Sequence, residues 1–192
     1  MGEILHVVTG PLNTVDMEYP GETTVGDIGL TRFAGQKGAI VKYRTNNVPY
    51  DSSIGTLYGG EYQLVQTIAG STIAPAVGLV ANWNDLDDFV VTPDLPTQPG
   101  SAAAGVYISA PTKGNWCFIQ ISGVGTALCG TLTETGVIGD TMFVTTGAKV
   151  INLADATAIT VGHLNDVLGT AAELPVTATL NKIHLDNTKR NS

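Results

Sequence analysis

Residues 112–131 read TKGNWCFIQISGVGTALCGT and hold both cysteines of the 192-residue chain, Cys117 and Cys129. Gly123 stands midway between them. A turn at SGVGT centred there predicts a two-strand hairpin with the cysteines opposite one another. Directly opposed Cβ atoms lie about 4.5–5.5 Å apart, near the roughly 3.5–4.5 Å that a disulfide needs. The start MGEILHVVTG carries an acid at Glu3 and no basic segment. It does not read as a secretion signal, and that favours reduced thiols over a disulfide. Trp116 and Phe118 fall on one face of the strand, and Cys117, Ile119 and Ile121 on the other. A strand with two apolar faces is buried on both, or covered on one by another subunit. The cysteines are therefore read as apolar filling, ahead of a disulfide and well ahead of catalysis. Zinc would require further Cys or His ligands at close spacing, and the sequence places none nearby.

Strand signals continue outward from this stretch. EILHVVT (3–9), GAIVKYR (38–44), EYQLVQTI (61–68), AVGLVANW (76–83), DFVVTPD (88–94) and GVYISA (105–110) precede it. TMFVTT (141–146), KVINL (149–153) and VTATLNKIHL (176–185) follow. Short β-branched and aromatic runs with turn signals between them predict an all-β barrel or sandwich of short antiparallel strands. The best helical window, 153–174, contains Ile159, Thr160, Val161 and Gly162. That run opposes a continuous helix and leaves only a short turn around HLNDVLG, closed by Gly169. Three regions are expected: an extended N-terminal arm at 1–37, a main β domain at 38–152, and a C-terminal segment at 153–192. The last has one returning strand and a polar tail. The proline-rich stretch TPDLPTQPGSAAAG (92–105) is a loop, or a linker dividing the main domain. No repeat of fixed period is visible.

Composition narrows the function. Charged residues make up 14% of the chain, against roughly 25% in ordinary soluble domains. Glycine is abundant, with 23 residues. A low-charge, Thr- and Gly-rich surface suits a protein packed against neighbours. The net charge of −8 opposes nucleic-acid binding. No window reaches the roughly 20 apolar residues of a membrane span. The basic residues Arg32, Lys37, Lys42 and Arg44 cluster, while Asp51, Glu61, Asp85, Asp87, Asp88 and Asp94 fall in a stretch without Lys or Arg. Such asymmetry orients one molecule against another.

No catalytic, cofactor or metal residue is assigned. His6, His163 and His184 stand apart, and no nucleophile elbow, phosphate loop or dinucleotide pattern occurs. NDLDD (84–88) supplies oxygen ligands without an EF-hand spacing, and a charged hairpin tip explains it equally well.

The order GTLYGGEYQLVQ, TIAPAVGLVANW, DDFVVTPD, AAGVYISAPTKGNWCFIQISG and GDTMFV, over residues 55–150, resembles the capsid decoration (cement) proteins of tailed bacteriophages and related head proteins. The resemblance implies binding without catalysis: a virion structural protein on the outer surface of the capsid, made in the host cytoplasm. Its partners would be the major capsid protein and further copies of itself, as a trimer or else a dimer. The expected contacts are the arm residues Ile4, Leu5, Val7 and Val8, with Trp83, Pro93, Leu95 and Pro96. The competing readings are a head-fibre or tail component, and a carbohydrate-binding or hydrolytic β-barrel.

Overall fold

The computed structural model describes residues 5–7, 18–19, 38, 40–43, 60–95, 103–132, 135–145, 147–152 and 167–185. Among these the chain is all-β, with no helix. The strands are β1 (Leu5–Val7), β2 (Glu18–Tyr19), β3 (Ile40–Tyr43), β4 (Gly60–Thr67), β5 (Val80–Asp85) and β6 (Val90–Thr92). They continue with β7 (Ala103–Tyr107), β8 (Trp116–Leu128), β9 (Thr141–Thr145), β10 (Lys149–Asn152), β11 (Val167–Ala171) and β12 (Leu180–Leu185).

The stretch read as a hairpin is one strand. Residues 116–128 run without reversal for 13 residues, and Gly123 lies inside them at φ 85°. The Gly-rich centre marks a change of neighbours and not a turn. From Trp116 to Gly123, β8 pairs antiparallel with β4, Leu64 opposite Phe118 and Val65 opposite Cys117. From Gly123 to Leu128 it pairs antiparallel with β12, Leu180 opposite Leu128. At the changeover, Glu61 and Tyr62 face Ser122 and Gln120, so Ile121 is the extra residue of a β-bulge. A bulge and a left-handed glycine bend a strand and raise its twist.

Around the first half of β8 a five-strand barrel closes in the order β4-β6-β5-β7-β8, with β8 returning to β4. The β4–β6 contact is parallel and the others are antiparallel. Val65, Ala81, Val91, Tyr107, Cys117, Ile119 and Ile121 belong to its core. Around the second half the order is β8-β12-β11-β9-β10. This sheet curls back where Val150 bridges Cys129 in parallel and the Gly130 N–H donates to the Val150 carbonyl (2.8 Å). Ala127, Cys129, Met142, Val144, Val150, Leu168 and Ile183 belong to the second core. Val80 of β5 and Val106 of β7 join that second core, so the first ring's outer face closes onto the second. Both faces of β8 from Trp116 to Ile121 are thus buried within one chain. Phe118 and Ile119 are fully enclosed, and each contributes about 1.5–3 kcal/mol of apolar burial.

Segments of the expected arm lie along this body. β1 pairs in parallel with β3, β3 pairs with β4, and β2 pairs with β8 at Trp116 and Cys117.

One turn recurs. Residues 76–79, 112–115, 137–140 and 176–179 each lead directly into a strand, β5, β8, β9 and β12. The third residue of each has positive φ: Gly78 82°, Gly114 89°, Gly139 93° and Ala178 57°. In the first three the fourth residue's N–H returns to the first carbonyl, from Leu79 to Ala76, Asn115 to Thr112 and Asp140 to Val137 (3.1, 3.0 and 3.2 Å). In the last, the Thr179 hydroxyl reaches the Val176 carbonyl (3.0 Å). A left-handed residue at the third position is the type II signature. Proline precedes three of the four, at Pro75, Pro111 and Pro175. These turns correct two strand limits: β5 begins at Val80 and β12 at Leu180, each four residues later than the hydrophobic runs predict. Of the turn expected over HLNDVLG, Val167, Leu168 and Gly169 belong to β11, paired on both edges by β9 and β12, and 163–166 lie outside the described residues.

Two substitutions test the register and the turns. A Cβ on Gly105 would lie 2.3 Å from the Gln120 carbonyl oxygen, a backbone atom that cannot swing aside. Gly105→Ala should therefore cost about 1–3 kcal/mol, the usual cost of overpacking, in denaturant unfolding. Ala178→Gly should raise stability by up to about 1 kcal/mol, because it relieves the left-handed alanine. An unchanged midpoint for either would contradict the local geometry.

Candidate functional site

Trp83 and the acidic tip lie at the far end of β5 from its 76–79 turn. Across six residues at about 3.3 Å each, that separates them by roughly 20 Å. Asp85, Leu86, Asp87 and Asp88 are exposed. The Asp85 carboxylate accepts the Asp87 and Asp88 N–H groups (3.0 and 3.3 Å), which fixes the tip. Phe89 closes it at φ 55°, a conformation that bulky residues seldom adopt. Its N–H reaches back to the Leu86 carbonyl (3.4 Å), and its carbonyl accepts Gln66 N–H (2.9 Å). Trp83 is partly buried on the first core and meets Phe89 edge to face, with ring centroids 6.4 Å apart. The tip is therefore a braced aromatic pair ringed by three carboxylates.

Next to β6, Asp94 ties the top of the first ring together. Its carboxylate accepts Thr72 and Ile73 N–H (2.5 and 2.8 Å), and its own N–H donates to Thr92 Oγ1 (3.1 Å). Asn82 donates to the Asp94 carbonyl (3.3 Å), and the Lys113 ammonium donates to the Ser71 carbonyl. Of the expected contact residues, Pro93 is buried within this network. Leu95 is partly buried and packs against the second core. Leu5 and Val7 lie on β1, beside Ile40 and Lys42 in register. Ile4, Val8 and Pro96 lie outside the described residues. The structure thus leaves Trp83 beside the exposed tip and sets Pro93 and Leu95 against the body.

Sequence reasoning missed the opposite end of the molecule. Leu174 and Val176 on the β11–β12 connection, Leu180 at the start of β12, and Val137 and Ile138 before β9 are 45–65% exposed. The two loops are joined where Gly139 N–H donates to Ala171 O and Ala171 N–H to Asp140 O (both 2.8 Å). Asn181 braces the second loop. Its amide donates to the Val176 and Thr179 carbonyls (2.9 and 2.8 Å), and its oxygen accepts Val176 N–H (2.9 Å). The recurrent turn was the available signal, since Val137, Ile138 and Val176 occupy its first two positions.

The cysteines are free thiols in different cores, Cys117 in the first and Cys129 in the second. Burial pushes the Cys129 thiol up to about 11, against a weaker opposing effect of its hydrogen bond with Asn181. Burial likewise drives the Tyr107 hydroxyl far above its ordinary range, with Cys117 and Asp94 adding to the rise. The Tyr107 hydroxyl and Ser109 Oγ are buried without hydrogen-bond partners among the described residues. Among the described residues, no three His, Cys, Asp or Glu side chains gather as a metal site requires.

No protein-family model matches the chain, and no curated protein matches it. Among solved structures it is similar to the head fibre gp8.5 N base of bacteriophage phi29, with a TM-score of 0.41 and 14% identity. That match covers 65% of this chain and 95% of the other.

The buried hydroxyl and thiol carry predictions. Below pH 9, both Cys129 and Tyr107 are protonated in folded and unfolded chains alike, and stability is intact. Between 9 and 11 the unfolded Cys129 thiol ionises while the folded one does not, so unfolding stability falls as pH rises. Cys129→Ala should flatten part of that slope between pH 9 and 11 in denaturant titrations. Tyr107→Phe should leave stability at pH 7 unchanged or raise it by about 1 kcal/mol, since it removes an unpaired buried hydroxyl. A loss above about 2 kcal/mol would show that the hydroxyl has a partner in solution.

Proposed function

We propose that the protein is a structural component of a tailed-bacteriophage head, a decoration protein that binds the major capsid protein and stabilises the shell from outside. The observation that carries this reading is a braced β body with two chemically unlike ends. One end presents Trp83 and Phe89 among Asp85, Asp87 and Asp88. The other presents five exposed aliphatic side chains. A scaffold of this kind joins two different surfaces and needs no moving part or reactive group. The resemblance of residues 55–150 to decoration proteins and the low charge of the chain support the same reading.

Within this proposal the Trp83 tip is the shell contact. A large aromatic held rigid at a surface is the kind of anchor that dominates interfaces, and the surrounding carboxylates steer it toward a basic partner surface. Weak single contacts suffice when a shell offers many equivalent sites.

The test uses expanded heads that lack the protein. Purified protein should bind them saturably and raise their resistance to heat. Trp83→Ala loses its contacts with Phe89 and the first core and should lower the melting temperature of the free protein, yet at a temperature where the variant is still folded by circular dichroism it should bind at least tenfold more weakly. Failure of the unaltered protein to bind would overturn the proposal. Full binding by Trp83→Ala would overturn the assignment of the tip alone.

A further inference from the structure

Six large apolar side chains stand exposed among the described residues: Leu86, Val137, Ile138, Leu174, Val176 and Leu180. Five of them lie at one end of the second ring, four on the two joined loops and Leu180 at the start of β12, and only Leu86 sits at the acidic tip. Together the five cover on the order of a few hundred Å², the size at which an apolar patch on a soluble protein marks an interaction site. Their backbones are fixed by Asn181, by the type II turns and by the Gly139–Ala171 hydrogen bonds. The patch is therefore a preformed surface.

Charge decides what covers it. The chain carries −8, so copies repel one another over most of their approaches. Among the described residues, Glu61, Asp85, Asp87, Asp88 and Asp94 lie on the first ring and its connections. At the aliphatic end the acids among the described residues, Asp140 and Glu173, are engaged. The Asp140 carboxylate accepts Val137 N–H (2.7 Å). Glu173 accepts Lys182 N–H (2.7 Å) and pairs with the Lys182 ammonium (3.6 Å). Two copies meeting through this end keep their tip carboxylates apart by well over the roughly 10 Å screening length at 0.1 M salt. We infer that the aliphatic end, Val137, Ile138, Leu174, Val176 and Leu180, is the surface through which copies of this chain associate. The inference uses the same aliphatic end as the head-protein reading but does not require that reading, and it leaves the Trp83 tip of each copy facing outward.

Sedimentation of the full chain over a wide concentration range tests it. The unaltered protein should associate reversibly, and more tightly as salt rises from low to high, because screening removes like-charge repulsion while apolar contact persists. The pair Ile138→Lys with Leu174→Lys should weaken association at least tenfold, and so should the pair Val137→Lys with Val176→Lys. All four side chains are exposed, so thermal melting of each pair should match that of an isolated monomer. Leu86→Lys should leave association unchanged. A protein that remains monomeric at every salt concentration, or patch variants that associate as before, would overturn the inference. If the monomer still binds heads and the patch variants lose that binding, the patch faces the shell. Self-association through it would then be wrong, while the head-protein reading would stand.

Discussion

The fold depends on how β8 passes from one ring to the other. Gln120 sits at that passage, buried, and its side-chain amide donates to the carbonyls of Ser122 and Val124 (3.2 and 2.9 Å). Those carbonyls flank Gly123, where the left-handed backbone interrupts a regular ladder. Without the amide, two part-buried acceptors would each lose a partner, at a cost of up to about 1–3 kcal/mol for a group left unpaired. Gly105 lets β7 lie directly on the Gln120 backbone. The same few residues therefore set the bend of β8, the closure of the first barrel, and the direction in which the second half of the strand meets β12.

Sharing one strand has a mechanical consequence. Two small rings with separate cores would ordinarily form two domains that move on a linker. Here the connection is a continuous β ladder, reinforced by Val80 N–H to Ala148 O and Leu128 N–H to Gly78 O (2.7 and 2.8 Å). The outer face of β5 and β7 also fills the second core. The acidic tip and the aliphatic end are held on one body, and in the proposed role that body transmits load between a shell subunit and a neighbouring copy.

Much of the strand inventory could be read from the sequence, because alternating apolar positions leave a period-two signal wherever one face is buried. What failed is instructive. Glycine spacing predicts a hairpin at Gly123, but Gly123 and Gly125 serve a bulged crossover, which looks the same in sequence. β11, Val167–Ala171, was hidden because its residues VLGTA carry a glycine where β12 crosses closely, and a central glycine reads as a breaker. The apolar runs at 76–79 and 176–179 looked like strand starts, because apolar residues fill turn positions that are normally polar. That same departure, Val137, Ile138 and Val176 on a turn, is the trace of the exposed end. Trp83 lies beside the tip and packs partly on the first core, whereas Pro93 is buried beside the Asp94 network and Leu95 rests on the second core, long-range arrangements that local sequence does not announce.

The continuity of β8 is the claim on which both ends and their spacing rest. Backbone nuclear Overhauser effects in the labelled protein test it directly. The account predicts cross-strand contacts pairing Phe118 with Leu64 and Leu128 with Leu180. Contacts pairing Cys117 with Cys129 across a reversal at Gly123 would contradict it.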